Sequence, residues 1–402
     1  MSDGILVSPA ARASAEPAQL PEQLPQLDGA RGVALLLVLA YHALSDPRSR
    51  FEWLVHRLAV AGWTGVDLFF VLSGFLITRI LRRERRSSRY FSAFYARRIL
   101  RIFPIYYAVL LVALVVAPRI SKAWAATYGF GAIPLFTFTG NLLPVFTRLS
   151  IKVGSPGPLS HFWSLMVEEH FYLVWPFLVW RLTRRGLVGV CALSFVIAEV
   201  SRLALLAARY DEDIISNFTP CRIDTIAAGA LLALLVEARG VTPWMLRRAA
   251  GVLVACSILL AVVAAHDTSL YHYGAWMRRF GYPVLALFWA SGLLCSLALP
   301  MTHVVNRVLA CRPLRLAGRY SYGAYVYHVP LLAHVAGPWD LEHRFGTLLG
   351  SSVLGLPCYL AFVTALIFAV AVPSYEFFEA PFLRLKRHFD YGIAATSVPS
   401  RT

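Results

Sequence analysis

The sequence predicts an all-α, polytopic integral membrane bundle of about ten transmembrane helices with both termini in the cytoplasm. Of its 402 residues, 58% are hydrophobic and 15% charged, against roughly 45–50% apolar usage in a soluble domain. The mean hydropathy is +0.61. Apolar runs such as Val33–Leu44, Leu68–Thr78, Ile105–Ala117, Leu187–Ala198 and Val363–Val372 recur along the chain. They sit inside segments bounded by charge or proline, of about the 20 residues that a bilayer crossing needs. The formal net charge of +16 comes largely from arginines clustered between these runs, where the positive-inside rule puts them. That distribution argues against nucleic-acid binding.

In chain order, residues 1–26 contain Pro, Ala, Gln and Ser around one short apolar triplet, Ile5–Val7. No secretory signal core is present, and a disordered cytoplasmic tail is expected. Helices are expected near 28–45, 62–81, 99–118, 161–180, 187–208, 221–237, 250–265, 281–299, 320–338 and 352–373. Eight arginines lie between Arg82 and Arg101. Further basic clusters, at Arg181/Arg184/Arg185, Arg239/Arg247/Arg248, Arg307/Arg312/Arg315/Arg319 and Arg384/Lys386/Arg387, fall on the same side of a ten-helix path. That side is expected to be cytoplasmic, in an inner membrane. The longest outward loop, roughly 119–160, is expected to cap a cavity. One membrane domain over 27–383 and a short cytoplasmic tail over 384–402 complete the organisation. Six scattered cysteines show no CxxC and no histidine at metal-ligand spacing, so no metal and no tightly bound cofactor are expected.

An ionisable group inside a membrane helix is costly unless paired or hydrated, so each is a candidate for function. Arg31 and His42 stand eleven residues apart in the first helix; they share a stripe with a rise of roughly 16 Å between them. His42 is the leading candidate for a proton acceptor, and a packing histidine is the bland alternative. In the second helix Asp67 shares a face with Val71, Gly74 and Thr78; it either orients a cation or bridges two helices, and Gly74 permits close approach of a helix or ligand. The fourth helix places Glu168 and Glu169 side by side in an apolar run, pointing about 100° apart. Asp67, Glu168 and Glu169 are each candidates for the carboxylate that stabilises a His42 imidazolium. Arg98 and Arg101, a turn apart at a helix mouth, suit phosphate recognition. Arg222 and Asp224 open the sixth helix. Ser321, Tyr325 and His328 share a face ahead of Pro330, where a kink frees backbone carbonyls.

Leu27-Asp28-Gly29-Ala30-Arg31-Gly32 through His42, Val71-Leu72-Ser73-Gly74-Phe75-Leu76, Arg98 with Arg101, Trp163-Ser164-Leu165 with Glu168-Glu169 and Phe171-Tyr172, Tyr320-Ser321-Tyr322, and Glu379-Ala380-Pro381 occur in this order. Together they resemble the bacterial acyltransferase 3 family over nearly the whole hydrophobic chain. His170 departs from the pattern, since the family commonly has Gln after the Glu pair. The chain is expected to be of the type without an appended esterase-like domain.

The resemblance implies transfer of an acyl group, often acetyl, from cytoplasmic acyl-CoA to a hydroxyl of a sugar, surface glycan, lipid-linked sugar or secondary metabolite. On that reading Arg98, Arg101 and Arg31 hold the CoA phosphates and His42 is the base, supported by Asp67, Glu168 or Glu169. Trp163, Ser164, Tyr172, Arg222, Asp224, Ser321 and His328 are expected at the substrates. No Ser or Cys has a nucleophile-elbow context, so direct transfer is favoured over a covalent enzyme intermediate. Two other classes compete with this reading. A transporter of an anionic or glycolipid substrate would use the same buried charges, but matched broken half-helices are missing. A lipid-linked glycosyltransferase would want a carboxylate pair near a membrane face, for which Asp211-Glu212-Asp213 reads as a solvated loop.

Overall fold

A computed structural model of the chain describes residues 21, 24–44, 47–116, 119, 133–147, 157 and 159–392. Most of the tail expected over 1–26, most of the 119–160 loop and the end of the 384–402 tail lie outside the described residues, and Pro25 and Gln26 already belong to the first helix.

Among the described residues the secondary structure is helical throughout. Helix α1 (Pro25–Ala43) starts on Pro25, whose missing N–H would have had no partner there. The short α2 (Arg50–Ala59) opens on a reciprocal Ser49–Glu52 capping box. Helices α3 (Gly65–Arg83), α4 (Tyr90–Leu111) and α5 (Trp163–Arg181) follow. Helix α6 (Arg184–Ala207) is capped by Thr183, which accepts from Gly186 N–H. Helix α7 (Ile223–Arg239) ends at Gly240, whose φ of 64° suits glycine. Then come α8 (Pro243–His266), α9 (Tyr282–Ala298), α10 (Arg312–Arg319), α11 (Ser321–Leu331), α12 (Leu341–Leu348) and α13 (Ser352–Pro373). Pro330 sits inside α11, and a wider π turn, Leu332–Ala336, follows it. Pro373 ends α13 and is followed by a second such turn, Ser374–Glu379.

Each of the ten stretches expected to be helical holds a helix. Among the described residues six helical stretches are long and apolar enough to cross a membrane: Arg50–Arg83, Tyr90–Val116, Arg184–Ala207, Pro243–His266, Met277–Ala298 and Ser352–His388. The other four, α1, α5, α7 and α11, are shorter or carry charges, and they supply most of the polar side chains described below. Helices α6, α8 and α13 turn Leu193, Val196, Val200, Val254, Ile258, Val262 and Leu354 outward. An outer surface of that kind fits hydrocarbon better than water.

Glycines set how closely the central helices approach. A Cβ at Gly74 would lie 2.0 Å from the Ile226 carbonyl oxygen, and one at Gly229 would lie 2.0 Å from that of Val71. Helices α3 and α7 therefore touch backbone to backbone, as small residues allow between membrane helices. Gly32 and Gly318 seat α10 against α1 in the same way, with a Cβ at Gly318 falling 1.8 Å from the Asp28 carbonyl oxygen.

The basic clusters gather at one pole. Arg82 pairs with Glu237 at 2.8 Å, Arg85 donates to the Trp180 carbonyl at 2.8 Å, and Arg97 pairs with Asp390 at 2.9 Å. These contacts join the ends of α3, α5 and α7 to the start of α4 and the C-terminal segment. At the other pole Tyr359 donates to the Ala43 carbonyl at 2.9 Å, Trp63 to that of Leu270 at 2.9 Å, and Arg48 pairs with Asp340 at 3.4 Å.

Candidate functional site

Two cavities meet at the arginine pole. The outer one, about 530 Å³, is lined by Asp28 and Arg31 of α1, Arg101 of α4, the α10 arginines Arg312, Arg315 and Arg319, and Glu379. The inner one, about 190 Å³, shares Arg31, Arg101 and Tyr322 with it and adds Ser73, Arg98, Ser164, Glu168, Tyr172, Ser321 and Tyr325. Arg31 of α1, Arg98 and Arg101 of α4, and Ser321 and Tyr325 of α11 thus border one shared space, whereas His42 and His328 line neither cavity.

Inside that space the polar groups are tied to one another. Arg31 pairs with Asp28 at 3.0 Å. The Ser73 and Tyr172 hydroxyls are 2.5 Å apart, and Glu168 lines the same cavity. Arg98 lies over the Tyr172 ring, 5.7 Å from its centroid, and its buried Nε has no hydrogen-bond partner among the described residues. At the far end the Ser164 and Tyr325 hydroxyls are 2.5 Å apart, and Tyr325 also reaches the His161 carbonyl at 3.2 Å.

Behind the Ser164–Tyr325 pair stand three imidazoles. The His328 ring lies 4.8 Å from His42 and 4.7 Å from His161, centroid to centroid. Each ring has one nitrogen against a main-chain carbonyl. His42 Nδ1 is 3.0 Å from Val38 O, His328 Nδ1 is 2.5 Å from Tyr325 O, and His161 Nε2 is 3.3 Å from Val326 O. A carbonyl only accepts, so these nitrogens carry the proton in the neutral rings and the opposite nitrogens keep their lone pairs. His161 Nδ1 and His328 Nε2 are buried without a partner among the described residues. His42 is half-buried and borders two pockets at the pole opposite the arginines. One, about 680 Å³, carries Tyr41, Trp53, His56, Arg57 and Tyr271; the other, about 420 Å³, carries Ser160, Asp340, Glu342 and Tyr359.

The carboxylates fall differently from their expected roles. None of Asp67, Glu168 and Glu169 hydrogen-bonds to His42, whose partner is its own helix. Asp67 is fully buried and accepts from Arg222 Nη2 at 2.7 Å and from Thr225 Oγ1 at 3.2 Å. Arg222, expected at substrate, is enclosed by rings, with Tyr282 at 4.4 Å and Trp163 at 5.4 Å. Asp224, likewise expected at substrate, pairs with the buried Arg202 at 2.9 Å. These groups form a buried ionic layer that ties α3, α6 and α7 together, with Tyr282 between the two guanidiniums. Trp163 is the wall of that layer. Charges taken out of lipid in this way need opposite partners close by. Glu169 points away from the cavity, with Tyr106 and Tyr322 as electrostatic neighbours. His170, the departure from the family pattern, contacts Thr219 Oγ1 at 2.8 Å, which also accepts from Asn141 at 2.8 Å.

His161, Tyr325, Ser73 and Arg202 join these constellations in addition to the residues expected at the site. His161 is three residues before Ser164, and Tyr325 lies between Ser321 and His328 on one helical face. That spacing was a readable signal. Arg202 looks in sequence like one more basic residue at a helix end.

The family model described as an acyltransferase domain matches residues 24–375. The chain is 28% identical over 319 residues to peptidoglycan O-acetyltransferase OatA of Listeria monocytogenes, covering 77% of this chain and 49% of that one. It is 26% identical over 383 residues to O-acetyltransferase OatA of Staphylococcus aureus, covering 90% and 57%. The chain thus spans about half the length of the curated relatives it matches. No solved structure matches it. The family model's span takes in every polar group that lines the inner cavity and all three imidazoles, and the chain belongs to the acyltransferase 3 family.

Proposed function

We propose that the chain is a membrane-embedded O-acetyltransferase that takes acetyl from acetyl-CoA at the arginine pole and passes it to a hydroxyl of a glycan at the opposite pole. One observation carries the reading: an arginine-lined cavity and two aromatic and polar pockets approach the same histidine cluster from opposite sides. The arginine pole is then the cytoplasmic face of a multi-pass protein in the cytoplasmic membrane, and residues 27–383 act as one catalytic membrane domain. The glycan acceptor follows from the relatives named for peptidoglycan, and Trp53, Tyr41 and Tyr271 offer ring faces to a sugar.

Arg31, Arg98 and Arg101 draw the anionic donor to the neck of the cavity, where guanidiniums recognise phosphate oxygens. The inner cavity, bounded by Glu168, Tyr172, Ser321 and Tyr325, takes the narrow pantetheine arm. The thioester arrives next to Ser164 and Tyr325, one ring contact from His328. His42 Nε2 takes the proton of the acceptor hydroxyl as its oxygen attacks the thioester carbonyl. The carbon–sulfur bond breaks, an ester forms, and the CoA thiolate leaves with the proton held by the imidazolium. The Val38 carbonyl keeps the His42 tautomer correct, a task often given to a carboxylate.

Membranes carrying the wild type or His42→Ala, supplied with labelled acetyl-CoA and assayed in glycan, lipid and small-molecule fractions, test this. Label entering the glycan fraction only with the wild type, with release of free CoA thiol, is the expected result. Equal labelling by His42→Ala would exclude His42 as base. Thiol release that is absent while a solute crosses the membrane would favour a transporter.

A further inference from the structure

The outer cavity holds more positive charge than the proposed reaction has used. Five guanidiniums line it, Arg31, Arg101, Arg312, Arg315 and Arg319, against the carboxylates of Asp28 and Glu379. Asp28 is committed to Arg31, and Arg319 is drawn to Glu376 at 3.3 Å. Arg312 and Arg315 have no ion pair among the described residues. Both belong to α10, at positions three apart that share a face with Arg319. The adjoining face of α10 is locked to α1, since a Cβ at Gly318 would meet the Asp28 carbonyl at 1.8 Å and one at Gly32 the Leu314 carbonyl at 2.2 Å. The arginine face is therefore held over the vestibule rather than free to turn to bulk lipid. Uncompensated like charges around a concave space attract a compact polyanion. A cavity of 530 Å³ lies within the ~300–1,000 Å³ range of small-molecule sites, whereas the inner one does not.

We propose that Arg312 and Arg315 form a separate subsite for the terminal phosphate of the donor nucleotide, the 3′-phosphate of CoA. Arg31 and Arg101, at the neck, are left for the diphosphate. This rests on acyl-CoA being the donor, as argued above. The shared chemistry is a phosphate dianion, which a phospholipid headgroup also offers.

The test is equilibrium binding of CoA and of 3′-dephospho-CoA to the purified full chain in phosphatidylcholine nanodiscs, for the wild type and for Arg312→Gln/Arg315→Gln. The wild type is expected to bind CoA at least ~10-fold more tightly, about 1.4 kcal/mol. The double variant should bind CoA no better than dephospho-CoA, with its dephospho-CoA affinity near the wild-type value. Monodisperse elution and an unchanged melting temperature check its fold. A variant that keeps the full preference, or loses both ligands equally, overturns the subsite. Loss of the wild-type preference when phosphatidylglycerol is added to the discs assigns the arginines to lipid headgroups and overturns it too. If neither ligand binds the wild type while glycan acetylation proceeds from another donor, the underlying reading fails instead.

Discussion

Replacing Asp67 by Asn should unfold this protein at a lower temperature without altering its chemistry at temperatures where it stays folded. Asp67 Oδ1 takes the Arg222 Nη2 proton at 2.7 Å, and both residues are at most 1% exposed. Without the carboxylate charge, Arg222 keeps the ring faces of Tyr282, Trp163, Trp63 and Phe70, at 4.4 to 5.9 Å, and the charge of Asp224, which is already paired with Arg202. Such contacts are worth on the order of 1–2 kcal/mol each at best. Breaking one side of a buried pair costs roughly 3–5 kcal/mol, because the remaining charge stays buried. At about 2 °C per kcal/mol for a large domain, the apparent Tm should fall by roughly 6–10 °C. The assay is thermal unfolding of purified protein in detergent, followed by loss of the monodisperse elution peak. The double variant Asp67→Asn/Arg222→Met, which leaves no orphan charge, should regain most of the loss. Acetyl transfer measured well below the transition should remain within a few-fold of wild type. If Asp67→Asn melts like the wild type yet transfers no acetyl, the ion-pair assignment is wrong and Asp67 acts in the reaction.

Other consequences can be checked alongside. Arg98→Ala should raise the KM for acetyl-CoA by roughly 10–100-fold, the worth of one charge-assisted hydrogen bond, with a smaller change in kcat in steady-state transfer assays. Gly229→Val should cost roughly 1–3 kcal/mol or more, read as a lowered melting temperature, because its Cβ would lie 2.0 Å from the Val71 carbonyl oxygen. Tyr325→Phe should lower both stability and kcat by removing the 2.5 Å contact to Ser164; an unchanged kcat would exclude the Ser164–Tyr325 pair from the path of the acyl group. Between α8 and α9, burial pushes the Asp267 carboxyl up, but the N–H groups of Met277 and Trp276 and the His266 ring outweigh it and hold it below its usual range. Its stabilisation is therefore complete above the unfolded value near ~4 and is lost as pH falls through the lower folded value. The gap in melting temperature between wild type and Asp267→Asn should thus hold steady above about pH 5 and narrow as pH falls below about pH 4.

The sequence by itself determined that the chain is a helical membrane protein of the acyltransferase 3 family. Hydropathy and charge clustering are local properties, and the Arg31-to-His42 spacing lies within one helix, where 3.6 residues per turn fixes which groups share a stripe. For the same reason Arg98, Arg101, Ser321 and His328 were legible as candidates. Partnership between helices was not. Asp67, Glu168 and Glu169 are equal candidates for His42 in one dimension, and only packing separates them. The glycine contact of α3 with α7 fixes Asp67 beside Arg222, and the 100° turn between adjacent helical positions sends Glu168 into the cavity and Glu169 out of it. Tertiary structure likewise placed Arg222 and Asp224, expected at the substrates, in a buried ionic layer, and gathered His161 and His328 around His42. Ion pairing and ring contact act over a few ångströms between segments that can be more than a hundred residues apart in sequence, so the final choice of partners belongs to the fold.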